Sequence, residues 1–171
     1  MIALFRTYLD VIFLRKGPDA IPASWLVLYV SLAILAVSWS LQLLQSSASL
    51  AAVAIALVAY ALALLFYSAI VVLFGFGRRL LQMLSTLIAC GSIIALTSAA
   101  IGVLLEPLAG GVAAATISSL VWFWSVPVKG HIIAVTIEKH WFVGIGIAML
   151  AYIFRYGIVS SFVLQQQSGA V

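Results

Sequence analysis

Long apolar stretches make up most of the chain, and charged residues separate them in small groups. No charged residue occurs from position 20 to position 77, an interval that a polar stretch at 42–49 (QLLQSSAS) interrupts. A helix that crosses the hydrocarbon core of a membrane needs about 20 mostly apolar residues. The interval therefore predicts two membrane-spanning helices joined by a polar turn.

Charges and helix-breaking residues predict three further spans. Glu106 and Pro107 end the third, because a proline cannot donate a hydrogen bond within a continuing helix. Pro127 and Lys129 follow the fourth, and the fifth leads into a polar C-terminal tail at 165–171. The predicted spans are about 24–44, 50–74, 80–105, 111–126 and 141–164, within a transmembrane domain at 18–164.

Residues 1–17 form a separate predicted element before the first span. Arg6 and Asp10, four residues apart, share one face of a helix, and apolar side chains share another. Such a helix lies in the membrane interface, or it docks on a partner. The predicted apolar face consists of Phe5, Tyr8, Leu9, Ile12 and Phe13.

Composition excludes most other classes of protein. Of the 171 residues, 66% are hydrophobic and 7% are charged, and the mean hydropathy is +1.31. Soluble domains carry about 25% charged residues, so a water-soluble fold and a disordered chain are excluded. One cysteine excludes a disulfide scaffold. We predict an all-α polytopic membrane protein, a five-helix transmembrane bundle with an N-terminal amphipathic interfacial helix.

The distribution of Lys and Arg predicts the orientation. Five crossings place the N-terminus, the loop at 75–79 and the segment 127–140 on one side, together with nearly all of the basic residues. Because basic loops stay in the cytoplasm, we expect a cytoplasmic N-terminus and an external C-terminus in a bacterial inner membrane. The net charge of +4 then calls for no nucleic-acid partner. The predicted headgroup contacts are Arg15, Lys16, Arg78, Arg79, Lys129 and Lys139.

Arg155 is the charge that this arrangement explains least. It lies 14 residues into the fifth span, about 21 Å from the start of that helix. A charge inside a membrane needs a partner or a function, and Glu106 is the acidic residue predicted on that side. We predict that Glu106 and Arg155 pair or share a polar outer pocket; the alternative is that Arg155 extends to the outer headgroups between Tyr152 and Tyr156.

Small residues recur at helical spacing on consecutive spans. The second span carries alanines at 52, 56, 59 and 63. Stripes of this kind let helices approach closely in a membrane, either inside the bundle or against a partner. The predicted packing or partner faces of the third and fourth spans are Gly91, Ala95, Ala99, Gly111, Ala115 and Ser119.

No set of residues points to catalysis or to a bound cofactor. His131 and His140 are nine residues apart, which places them on opposite faces of a helix. We therefore predict no metal site, no cofactor and no enzymatic activity, and we expect the segment KGHIIAVTIEKH to be a polar cytoplasmic segment.

The layout resembles the Yip family, the small five-span Ypt/Rab-interacting proteins, and in particular its bacterial members. The resemblance covers residues 10–162 and rests on three features. Gly17-Pro18 precedes the first span, a glycine-rich break precedes Gln82 (GFGRRLLQMLSTLIACG), and a tryptophan-rich segment leads into the last span (WFWSVPVKGHIIAVTIEKHWFVGIGIAML). The resemblance implies a five-span fold and a non-enzymatic interaction role, and it transfers no catalytic residue.

The sequence thus predicts a non-enzymatic membrane protein that acts as a scaffold or accessory subunit. Its expected partners are the lipid bilayer and other integral membrane proteins or a larger membrane complex. The alternative is a small transporter or channel that uses a polar pocket between Arg155 and Glu106.

Overall fold

The computed structural model describes residues 2–45 and 49–168, and the side chains over 3–45 and 49–161. Within these residues the chain is helical and contains no strand. Short 3-10 turns at Pro18–Ala20 and Gly77–Arg79 precede the second and fourth helices. The helices are α1 (Ile2–Ile12), α2 (Trp25–Gln45), α3 (Leu50–Leu73), α4 (Leu80–Ala109), α5 (Gly111–Phe123), α6 (Ser125–Thr136) and α7 (Trp141–Ser168).

Five segments of the described residues are long and apolar enough to cross a membrane. The prediction of an all-α chain with five such helices is therefore confirmed. The segments are Trp25–Gln45, Leu50–Leu73, Gly77–Ala109, Gly111–Thr136 and Trp141–Ser161.

The fourth segment is longer than predicted. The sequence predicted its end near Val126, before Pro127, but helix α6 continues to Thr136. Pro127 lies in the first turn of α6, where the amide hydrogens have no partner within the helix and a proline is tolerated. A new helical segment therefore begins at Ser125, after the turn at Trp124, and Pro127 lies within its first turn.

Helix α4 also passes its predicted end. Pro107 lies in its last turn, and the helix ends at Gly110, whose amide donates to the carbonyl oxygen of Glu106. Gly110 has φ 81° and ψ 157°, a backbone conformation that is accessible essentially to glycine alone. The glycine, rather than the proline, thus separates α4 from α5.

Two predicted polar segments are partly helical. Helix α2 continues through Gln45 into the predicted turn, and Ser49 caps α3 by accepting a hydrogen bond from the Ala52 amide at 3.3 Å. Residues 165–168 of the predicted tail continue α7. The rest of that turn (46–48) and of that tail (169–171) lies outside the described residues.

Helix α4 is the centre of the bundle, and it packs against α1, α2, α3, α5 and α6. Helix α7 packs instead against α3 and α6. The first half of α4 is almost entirely buried, with Met83, Ala89 and Cys90 fully enclosed. The core therefore lies toward the end of the bundle that holds α1.

Helices α6 and α7 form a closely packed hairpin. A side chain at Gly144 would begin 2.0 Å from the carbonyl oxygen of Gly130, and one at Gly130 would meet the backbone of Ile145 at 2.9 Å. These two glycines bring the helix backbones into contact.

Helix α1 packs on α4 and α6 through a face that differs from the predicted one. Tyr8 and Ile12 of the predicted face are buried, together with Val11, but Phe5 and Phe13 are about half exposed. The Tyr8 and Ser31 hydroxyls are hydrogen-bonded at 3.0 Å. Tyr8 donates in this bond because the Ser31 hydroxyl donates its own proton to the carbonyl oxygen of Val27. The position of α1 in a membrane interface stays a prediction.

Three connections meet at one end of the bundle, which we call the basic end. The Arg79 guanidinium lies 2.7 Å from Glu138 and donates to the carbonyl oxygen of Thr136 at 3.3 Å. The Gln82 amide donates to the carbonyl oxygens of Asp19 and Ile21. The α1–α2, α3–α4 and α6–α7 connections are thus tied together.

Candidate functional site

Lys129 lines a space between the helices of the bundle. Helix α6 carries it, with Val128 and Gly130 buried on either side in sequence. Its aliphatic stem passes α4 beside Gly91, where a side chain would begin 3.9 Å from Lys129 Cε, at ordinary contact distance. The expectation of a polar loop around Lys129 is therefore wrong, because this segment is a largely buried helix. Contact of Lys129 with headgroups stays a prediction.

Arg155 approaches Lys129 from the neighbouring helix α7. Side chains lean toward the N-terminus of their own helix. In the antiparallel α6–α7 hairpin this tilt turns Lys129 and Arg155 toward each other. The guanidinium carbon of Arg155 lies 5.6 Å from the centre of the Tyr60 ring, in cation–π contact.

Both cations line the same two cavities. The larger, which we call the inner cavity, has a volume of about 60 Å³, and a smaller cavity of about 30 Å³ lies against Tyr67 and Tyr152. Polar side chains from α2, α3, α4 and α6 complete the wall of the inner cavity: Ser38, Gln42, Tyr60, Ser92 and Ser125.

No Asp or Glu side chain lines either cavity. The sequence contains four acidic residues, and all four lie within the described part. Asp10 pairs with Lys16 at 2.8 Å, which lowers the pKa of Asp10, and Glu138 pairs with Arg79. Asp19 is exposed in the 3-10 turn at the basic end, and Glu106 is exposed near the opposite end. Lys129 and Arg155 therefore face a polar space that holds no acidic side chain.

Glu106 and Arg155 do not form the predicted pair. No salt bridge joins them in the described chain, and they line different openings. Glu106 lines a cleft of about 530 Å³ between α2, α4 and α5, which we call the α4–α5 cleft. Arg155 lines the inner cavity and a second cleft, of about 450 Å³, between α2 and α3.

Gln42 connects these spaces. It lines the inner cavity and both clefts, and its amide nitrogen donates to the carbonyl and the hydroxyl oxygens of Ser38 at 3.1 and 3.0 Å. Ala95 and Trp122 are also shared between the α4–α5 cleft and the inner cavity. Glu106 thus lies in a cleft that adjoins the cationic cavity.

The small residues of α4 and α5 pack on each other and line the α4–α5 cleft. Ser98 donates to the carbonyl oxygen of Ser118 at 2.8 Å, and a side chain at Gly102 would begin 3.2 Å from the Ser118 hydroxyl. The packed face of α5 contains Ala114, which is buried, whereas Ser119 of the predicted stripe is exposed. Predicted residues that line the cleft are Ala95, Ala99, Gly111 and Ala115, and Gly91 lines the inner cavity.

The other predicted residues lie at the basic end. Arg15, Lys16, Arg78 and Lys139 are exposed there. His131 hydrogen-bonds the carbonyl oxygen of Lys16 at 3.1 Å, and His140 stacks on Phe142. Across the described part of the chain, no three His, Cys, Asp or Glu side chains come together as metal ligands.

Sequence reasoning missed Lys129 as an interior residue because it treated Pro127 as the end of a span. One signal was available. Between Glu106 and Glu138, Lys129 is the sole charge, and that interval is long enough for a span that contains it. The partners Ser38, Tyr60 and Ser125 carried no such signal, because single hydroxyl residues in apolar helices are common.

The fold defines the class: this is a helical protein with five candidate membrane spans and a cationic cavity between its helices. No family model, curated protein or solved structure matches the chain.

Proposed function

We propose that this protein is a non-enzymatic integral membrane protein that acts as a scaffold or accessory subunit by binding a membrane-spanning helix of another protein in the α4–α5 cleft. The observation that carries the proposal is the cleft itself. Helices α2 and α5 flank α4 on either side, and the surface between them is lined by Ala95, Ala99, Gly102 and Ala115. Small residues of this kind allow two helix backbones to approach closely in a membrane.

Polar groups in the cleft favour a helix over a lipid chain as its occupant. Gln42 and Glu106 line the cleft. A partner helix with a polar side chain can satisfy such groups, whereas an acyl chain offers them nothing.

The proposal includes the finer expectations about place and kinship. We infer a bacterial inner-membrane protein of the Yip-like type, with its basic end and N-terminus in the cytoplasm. The concentration of Arg15, Lys16, Arg78 and Arg79 at that end supports the orientation. Helix α1, docked on α4 and α6, would then lie on the cytoplasmic side.

Site-specific photo-crosslinking in intact membranes tests the helix partner. A photoreactive amino acid at Ala115, which lines the cleft, is expected to give a discrete protein adduct whose partner peptide is a membrane-spanning segment. Leu120 serves as the matched control, because it is exposed on the same helix and outside the cleft. The adduct at position 115 should also disappear when Ala99→Leu narrows the cleft.

Two results would contradict the proposal. One is lipid adducts alone at position 115, which would assign the cleft to lipid. The other is the same adduct from positions 115 and 120, which would show random collision in the membrane.

A further inference from the structure

We propose that the inner cavity is a binding site for a phosphate-type oxyanion, held by Lys129 and Arg155. This inference does not depend on the helix partner proposed for the α4–α5 cleft. The two sites share Gln42, Ala95 and Trp122, but the cations that carry this inference line the inner cavity and not that cleft. The phosphate group can come from a free anion or from a lipid headgroup, and the experiment below separates these sources.

The charges around the inner cavity are not balanced by acidic side chains. Two cations face one polar space inside the bundle, and the four Asp and Glu side chains lie elsewhere, two of them in ion pairs at the basic end. Burial of uncompensated charge is costly, and like charges that face each other add repulsion. An anion between Lys129 and Arg155 removes both penalties at once.

The side chains around the inner cavity offer several hydrogen-bond donors. The planar guanidinium of Arg155 offers paired N–H groups that match two oxygens of a phosphate, and the Lys129 ammonium adds a point charge. Ser38, Tyr60 and Ser125 bring hydroxyl groups to the same cavity wall. Several donors around one space suit a group with several acceptor oxygens better than a single halide ion.

The inner cavity offers both space for an anion and a route by which the anion can reach it. The cavity volume of about 60 Å³ is several times the roughly 10–15 Å³ that one water molecule requires by the same measure. Gln42 and Trp39 line both the inner cavity and the cleft between α2 and α3, and Arg155 lines that cleft as well. An anion, free or attached to a lipid, can thus approach Arg155 from the cleft.

The first arm of the experiment measures binding of inorganic phosphate to the full-length protein in a phosphate-free mild detergent. Tryptophan fluorescence reports on the inner cavity, because two of the five tryptophans, Trp39 and Trp122, line it. At constant ionic strength, phosphate is expected to give a saturable change that an equal concentration of chloride does not give. Lys129→Met and Arg155→Met should weaken phosphate binding at least about tenfold, the loss expected for one charged hydrogen bond.

Matched variants separate a site from a general effect of charge. Lys139→Met removes the same charge from an exposed position at the basic end and should bind phosphate as the unaltered protein does. Lys129→Arg keeps the charge and should retain binding. The methionine variants are expected to fold, since removing Lys129 or Arg155 leaves no carboxylate unpaired; circular dichroism and gel filtration check this.

The second arm measures phospholipid that stays bound during purification, by native mass spectrometry. If the source is a headgroup, the unaltered protein and Lys139→Met retain phospholipid, Lys129→Met and Arg155→Met lose it, and added phosphate has little effect on fluorescence. A response to free phosphate without retained lipid assigns a free anion. Both results support the proposed site, and they differ in the source of the phosphate group.

Three results would overturn the inference. They are an equal response to chloride and phosphate, equal behaviour of Lys129→Met and Lys139→Met in both arms, and the absence of any response or retained lipid in the unaltered protein. The third result is obtained with the unaltered protein alone, so it can overturn the inference even if a variant misfolds. Failure of the crosslinking experiment at Ala115 would not affect it.

Discussion

Gly130 and Gly144 decide how closely α6 and α7 approach, and through that approach they place Lys129 beside Arg155. Gly130 follows Lys129 directly in the chain, and its carbonyl oxygen lies where a side chain of Gly144 would begin. Gly146, one residue beyond Ile145 on the same helix, has nothing within 4 Å of that position. Of these two glycines on α7, only Gly144 is required for packing.

Gly144 and Gly146 provide a prediction in which the second glycine serves as the control for the first. Gly144→Ala is expected to lower the free energy of unfolding by about 1–3 kcal/mol, the usual cost of overpacking. Gly146→Ala should be neutral or stabilising by up to about 1 kcal/mol, because alanine favours a helix more than glycine does. Thermal unfolding of the purified protein in detergent measures both. Equal effects of the two substitutions would contradict the close contact between α6 and α7.

At the scale of the element, α1 shows how packing selects one face of a helix. The pattern of the first residues predicted an apolar face that included Phe5, but the helix buries Tyr8, Val11 and Ile12. Phe5 and Phe13 were included in the predicted face because both are large and apolar, and this moved the predicted face away from the one that is buried. The Tyr8 hydroxyl, bonded to Ser31 on α2, holds the helix in its actual rotation.

Tyr8 and Phe5 therefore form a second matched pair. Tyr8→Ala is expected to destabilise the protein by about 3–5 kcal/mol, as for other large buried aromatic residues. Phe5→Ala should cost less than about 0.5 kcal/mol, the usual range for surface positions. Chemical unfolding in detergent, followed by circular dichroism, measures the difference. Comparable losses for the two substitutions would show that α1 is not docked through the face described.

At the scale of the whole molecule, the connections at the basic end set the two ends of the bundle apart. Arg79 joins the α3–α4 and α6–α7 connections, and Gln82 holds the α1–α2 connection against the start of α4. Six of the eight basic residues lie outside the cavity, in the helix α1 or in these connections, once Lys129 and Arg155 are assigned to it. The bias of charge between the ends is thus smaller than the sequence alone suggested, but its sign is the same.

The proposed orientation predicts the behaviour of fusion proteins. A fluorescent protein that folds only in the cytoplasm is expected to be dark when fused after residue 171 and bright when fused after residue 79. Alkaline phosphatase, which needs an external environment, should give the opposite results. The fusion after residue 79 is the control for expression and insertion. Fluorescence at both positions would contradict an odd number of crossings.

Much of the architecture follows from the sequence by itself. Long uncharged intervals determine where five apolar helices lie, because a membrane tolerates few charges and each helix satisfies its own backbone. The same reasoning singled out Arg155 as a charge in need of a partner. It named Glu106 as that partner because sequence gives the depth of a residue along a helix but not the direction in which its side chain points.

The tertiary structure decided the rest. Pro127 could end a helix or start one, and only packing against α4 and α7 shows that α6 is buried and carries Lys129 into the bundle. The rotation of α1, α5 and α7 then determines which residues meet, since a turn of one residue moves a side chain by about 100° around the helix. The cationic cavity is therefore a property of helix rotation and close approach, which apolar membrane sequences specify weakly because many of their faces are equally apolar.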